Sequence, residues 1–272
     1  FVVYANETMK ADSPAVLALE ELRNDLADKL SYDRDEDRGP VEVYVLDDRA
    51  AFLHLLRFYF PELPPRRAFF LAQDDQRIVY TYQGPMLEED LRHEAAHALL
   101  RGRYGDVPLW LDEGLAEYFE AGPDDLQDRG DRLARLASDV GAGWKPDLKR
   151  LESLDEVHQM DPRDYREAWA WVDLMLSDRR DGTPALLGYL EAEDRSRAPL
   201  SEALAVRRLD ASILLAHLKG DRADVAKAKK TAPRDPQVER VVRLQDRADA
   251  PRVAVEPRRP GLLRRLGTLL GF

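Results

Sequence analysis

The chain has 272 residues, 44% of them hydrophobic, enough for one large domain or two modest ones with a sizeable core. A formal net charge of −11 argues against nucleic acid as the main partner, and the absence of cysteine excludes disulfides and thiolate metal sites, so any transition-metal site must be built from His and carboxylates. No apolar run approaches the roughly 18 residues that a membrane-crossing helix needs. The charge is uneven: residues 221–272 hold 13 Lys and Arg against 7 Asp and Glu, a net of +6 that leaves −17 on residues 1–220, and the C-terminal stretch reads as a distinct unit. The first residue is Phe1 rather than Met, which suggests a processed or truncated product.

In chain order, Phe1–Ala5 reads as a first strand. Ser13 and Pro14 form an N-cap and first-turn pair for a helix with Val16, Leu19, Leu22, Leu26 and Leu30 on one face. Val41–Leu46 alternates and is β-branched, as a strand should be. Arg49–Phe60 is predicted helical, ended by Pro61 and the Pro64-Pro65 pair. Ala68–Ala72 and Ile78–Tyr82 read as two strands around a polar turn. From Met86 the pattern turns helical: Leu87–Arg101, a break at Gly102 and Gly105, Leu109–Glu120 entered after Pro108, then helical stretches near 124–140, 151–158, 162–179, 183–194, 199–206 and 210–218. Residues 221–250 read as solvated helices, 251–261 as a linker and 262–272 as a short basic amphipathic tail. The expected fold class is α+β, with a small mixed sheet over 1–85, a mainly helical part over 86–220 that completes the same domain, and a basic extension over 221–272.

His93-Glu94-Ala95-Ala96-His97 is an HExxH motif. On a helix, residues four apart lie one turn apart on the same face, so two imidazoles can reach one zinc ion. Glu94 sits about 100° around the helix from His93, outside the ligand set but beside the position where such a site activates water. Leu91, Ala95, Ala98 and Leu99 surround the motif and imply a buried helix, where unliganded His and Glu would carry a heavy desolvation cost. A catalytic zinc needs a third protein ligand and one open position. No third His lies at a short fixed distance; the next feature is Pro108-Leu-Trp-Leu-Asp-Glu-Gly-Leu-Ala-Glu-Tyr-Phe-Glu120.

Within it, Trp110-Leu111-Asp112-Glu113-Gly114-Leu115-Ala116 resembles the WLxEGxA segment of gluzincin peptidases such as the M1 aminopeptidases, and is more similar still to bacterial peptidase MA-like domains of unknown function. The resemblance implies Glu113 as the third zinc ligand, on a helix packed against the HExxH helix. Glu117 and Glu120 follow four and seven residues later on the same face, and either can accept the far ring N–H of a zinc-bound His, with Glu120 the better match to the family segment. Asp164-Tyr165-Arg166-Glu167-Ala168-Trp169 is similar to the Tyr-bearing helix start of these peptidases and implies that the Tyr165 hydroxyl stabilises an oxyanion. The family also has an edge strand above the metal that pairs with an extended substrate, for which Ile78–Tyr82 is the candidate by position. His54, His158 and His217 are expected not to be ligands.

The function these readings imply is zinc-dependent hydrolysis of peptide or protein substrates by an activated water, with Glu94 as general base. No GxMEN-like element that docks a free amino terminus is present, so endopeptidase and aminopeptidase activity both stay open. The competing expectation is a catalytically idle protein of this fold that serves as a binding or scaffold module. The tail Leu262–Phe272, with Arg264 and Arg265 beside leucines, resembles a membrane-surface segment but is too short for stable anchoring, and a frayed end or docked helix is the plainer reading. The resemblance and the missing start together suggest a bacterial extracytoplasmic location.

Overall fold

A computed structural model describes residues 1–5, 10, 12–34, 39–73, 76–121, 126–192 and 198–219. The chain divides into a unit Phe1–Arg234 and a second, Asp235–Phe272. The second unit, and with it the helices, linker and basic tail expected over 221–272, lies outside the described residues.

The fold class is α+β. Strands β1 (Val2–Ala5), β2 (Val41–Leu46), β3 (Phe69–Gln73) and β4 (Gln76–Tyr82) form one sheet in the order β1-β2-β4-β3. β1 runs parallel to β2 and β2 parallel to β4, whereas β3 is antiparallel to β4. The parallel pairs are bridged through helices α1 (Pro14–Leu30) and α2 (Arg49–Tyr59). The rest is helical: α3 (Leu87–Tyr104), α4 (Leu109–Glu120), α5 (Leu126–Gly141), α6 (Leu148–Leu151), α7 (Pro162–Ser177), α8 (Gly182–Leu190), α9 (Leu200–Val206) and α10 (Ala211–Leu218). No described helix is long and apolar enough to cross a membrane.

Alternation in β2 sorts its residues. Val41, Val43 and Val45 are buried in the core that also takes Leu19, Leu22, Leu26 and Leu30 of α1 and Ala95, Ala98 and Leu99 of α3. On the other face, registered residues build one aromatic rung across the four strands. Tyr4 stacks on Tyr44 at 4.7 Å, Tyr44 on Tyr80 at 5.3 Å and Tyr80 on Phe69 at 5.0 Å between ring centroids.

Two expectations close to the site need correction. The strand Ile78–Tyr82 lies inside β4, which is flanked by β2 and β3, so it cannot offer a free edge; the edge strand beside α3 is β3. Helix α3 does not break at Gly102 but runs to Tyr104, with Gly105 at φ +72° ending it. Gly102 is bare because the Arg77 guanidinium of β4 lies where a side chain would project, and Arg77 donates to the Ala98 carbonyl at 3.1 Å.

Helices α3, α4 and α7 are the packing centre of the helical part. Arg92, 6% exposed, donates through Nε to the Phe119 carbonyl at 2.9 Å, through Nη1 to the Ala18 carbonyl at 3.3 Å and through Nη2 to Asp25 at 2.7 Å. One side chain thus ties α3 to both α4 and α1 and sets the rotation of the helix next to His93. Gly114 lets α4 press on α7: a Cβ there would lie 2.8 Å from the Ala168 carbonyl oxygen, closer than van der Waals contact permits. The glycine of the WLDEG segment therefore has a packing reason, one residue from Glu113. Asp173, 1% exposed, is gripped by Arg129 of α5 (2.8 and 2.9 Å) and His217 of α10 (2.7 Å), which holds these helices on α7.

Candidate metal centre

His93 and His97 project from successive turns of α3 toward α4, where Glu113 meets them. The two imidazole Nε2 atoms are 3.3 Å apart, and Glu113 Oε2 lies 3.7 Å from the first and 3.8 Å from the second. These are the only described His, Cys, Asp or Glu side chains gathered closely enough to share an ion. A point about 2.1 Å from all three atoms exists within that triangle, which is the reach of zinc to imidazole nitrogen and carboxylate oxygen.

The far side of each ring fixes its tautomer. His93 Nδ1 lies 2.9 Å from Glu120 Oε2, and His97 Nδ1 lies 2.8 Å from Asp112 Oδ2. An ionised carboxylate only accepts, so both Nδ1 atoms carry hydrogen and donate. Two Nε2–H groups cannot face each other at 3.3 Å, so at least one Nε2 presents a lone pair. A buried and a half-buried imidazole converging with a carboxylate in this way form a donor set that could hold a transition metal ion.

The carboxylates are themselves held. Arg132 of α5 donates to both Glu117 and Glu120, and its Nε donates to Asp128 at 2.6 Å. Burial opposes ionisation of Glu120, but His93 and Arg132 outweigh it and hold the carboxyl below the usual range. Burial and the Glu120 charge push Glu117 the other way, against the pull of Arg132. Glu117 therefore does not accept from an imidazole; it shares Arg132 with the residue that does. Asp112, which the motif leaves as its variable position, takes the role at His97. Spacing along one helix face points to positions four and seven after Glu113, whereas Asp112 is reached only because of how α3 and α4 cross.

Removing that support is expected to weaken the site without emptying it. Asp112→Ala should lower metal affinity about 10- to 100-fold, read by competition with a chromophoric chelator. Protons compete for the same atoms. Burial opposes the His97 imidazolium, but the Asp112 carboxylate outweighs it and raises the pKa to about 9. The metal-free pair therefore holds a proton at pH 7 that a metal must displace. Calorimetry in buffers of different ionisation enthalpy should show about one proton released per zinc bound at pH 7, and less as the pH rises through the raised range of the two imidazoles.

Glu94 is half-buried on α3 and makes no hydrogen bond or ion pair with a described residue. Tyr165 stands in the first turn of α7, a helix started by Pro162 and a reciprocal cap between Asp161 and Asp164. Its phenol is half-buried without a hydrogen bond to a described residue. Burial, then the Glu113 and Glu117 carboxylates, raise its pKa to about 12, with Arg66 opposing. Tyr165 is thus a protonated donor within the field of Glu113. Burial likewise opposes ionisation of Glu113, while the neighbouring imidazoles and Arg66 bring its pKa below the usual carboxylate range. The other histidines lie elsewhere: His54 stacks on Phe58 and His217 binds Asp173.

No family model matches the chain, and no curated protein matches it in sequence.

Proposed function

We propose that this chain is a zinc-dependent peptidase of the gluzincin type, related to the peptidase MA-like domains and acting on peptide or protein substrates. The observation that carries the reading is the convergence of His93 Nε2, His97 Nε2 and Glu113 Oε2, with the far ring nitrogens anchored on Glu120 and Asp112, beside a Glu94 that makes no hydrogen bond with a described residue. Zinc bound there would act as a Lewis acid that polarises a peptide carbonyl and brings water to a pKa near 7.

The chain's own residues supply the rest. Glu94 accepts the proton of the attacking water and delivers it to the leaving amine. Tyr165 keeps its proton at neutral pH and donates it in a hydrogen bond to the developing oxyanion. The strand β3, at the edge of the sheet beside α3, has no described strand on its outer side, and an extended peptide can align along it. The test is a peptide-library digest. Cleavage that a chelator abolishes and added zinc restores is expected; a zinc-loaded protein that cuts nothing would leave the site to a binding role.

A further inference from the structure

The support behind His93 does not end at Glu120. Glu120 divides its two oxygens: Oε2 lies 2.9 Å from His93 Nδ1, and Oε1 accepts from Arg132 Nη2. Arg132 Nη1 donates to Glu117, and its Nε donates at 2.6 Å to Asp128, one turn earlier on α5. Each of the three guanidinium nitrogens thus serves a different carboxylate, two on α4 and one on α5. The guanidinium carbon lies 5.6 Å from the ring centroid of Trp169, a buried residue of α7. Arg132 is itself largely enclosed, with 14% of its side chain exposed.

Glu117 and Glu120 stand three residues apart, one turn of α4, so two like charges are neighbours there. Without a cation between them they repel, and Glu120 is free to turn away from the ring nitrogen. A guanidinium suits the task of holding both. Its planar fork presents N–H donors in fixed directions, and it stays charged at any working pH. A lysine ammonium is a single point of charge and cannot hold the same three acceptors in one fixed arrangement. The other side of the site is built differently: among the described residues Asp112 has no arginine behind it, so only His93 is braced in this way.

We infer that Arg132 is a positioning residue of the metal centre: by holding Glu120 in place it aims the His93 imidazole at the ion and so strengthens zinc binding. The inference rests on the metal centre proposed above and extends it to α5, a helix that no motif assigns to the site. Arg132 is not among the side chains able to share the ion, and it acts through Glu120 alone. An ion pair that merely held α5 on α4 would stabilise the fold and leave zinc affinity where it was. The two roles therefore differ in what they do to the metal.

The test is a double-mutant cycle on zinc affinity, read by chelator competition, with circular dichroism and the thermal midpoint of the metal-free protein taken for each variant. Arg132→Met keeps the aliphatic stem and removes the fork. In the otherwise wild-type chain it should lower zinc affinity about tenfold, the lower end of the range for groups that orient a ligand. In a Glu120→Ala background the same change should cost less than about twofold, because the residue through which it acts is gone. In an Asp112→Ala background it should again cost about tenfold, since His97 is supported separately. Arg132→Lys goes through the same cycle, which keeps the question open to measurement if the Met variant does not fold. It retains the charge without the fork and should lose about threefold in the wild-type chain and nothing further beside Glu120→Ala. A loss of equal size with and without Glu120, or no loss in a folded Arg132 variant, would overturn the inference and leave the metal centre standing. Wild-type protein that binds no zinc would overturn both.

Discussion

Glu94→Gln is expected to bind zinc at the wild-type stoichiometry and to cleave peptides about a thousandfold more slowly, or worse. Gln keeps the volume and the polarity of Glu but cannot take a proton. The site leaves Glu94 free to act as the base, since it lies one residue from His93, is half-buried, and makes no hydrogen bond or ion pair with a described residue. It is also outside the cluster of atoms able to hold an ion, so its loss should not disturb the metal. Zinc content and peptide turnover measured on one preparation check both halves. Turnover within about tenfold of wild type would remove Glu94 as the base.

Glu113→Ala is expected to lower zinc affinity by more than the roughly 100-fold upper range for carboxylates that only orient a ligand, because it deletes one of three donors. The fold should survive. Glu113 makes no contact tighter than 3.7 Å to either imidazole, and α4 is held by the buried Trp110, Leu111, Leu115 and Phe119 and by the close packing of Gly114 on α7. Chelator competition alongside circular dichroism separates loss of the ligand from loss of the protein. An unchanged affinity in a folded variant would mean that the third ligand is elsewhere.

How much of the molecule is legible in its sequence depends on whether a feature is local. The span of β2 (Val41–Leu46) follows from alternation of β-branched residues, and that of α4 (Leu109–Glu120) from Pro108 at its start, and both stand as expected. The HExxH pair can be named from helix periodicity, and Glu113 only from the resemblance of its segment to the WLxEGxA pattern. What depends on partners distant in sequence cannot be read in this way. Nothing in Gln76–Tyr82 itself says that β2 and β3 will cover both its sides, so position along the chain points to the wrong edge strand. Gly102 resembles a helix breaker until Arg77 of β4 is laid over it. The stretch 151–158 reads as one helix, but it holds only the end of α6 and a 3-10 turn at Val157–Gln159, with the start of α6 set by the Asp147 cap. Asp112 and Arg132 belong to the same kind: one is chosen by a helix crossing, and the other reads as a surface charge on α5 until its partners on α4 are in place.

The metal is the claim on which the rest depends. Purified protein, reconstituted with zinc and freed of excess by gel filtration, should carry about one zinc ion per chain by inductively coupled plasma mass spectrometry. Protein that emerges without zinc under those conditions would contradict the metal centre and, with it, the hydrolytic function.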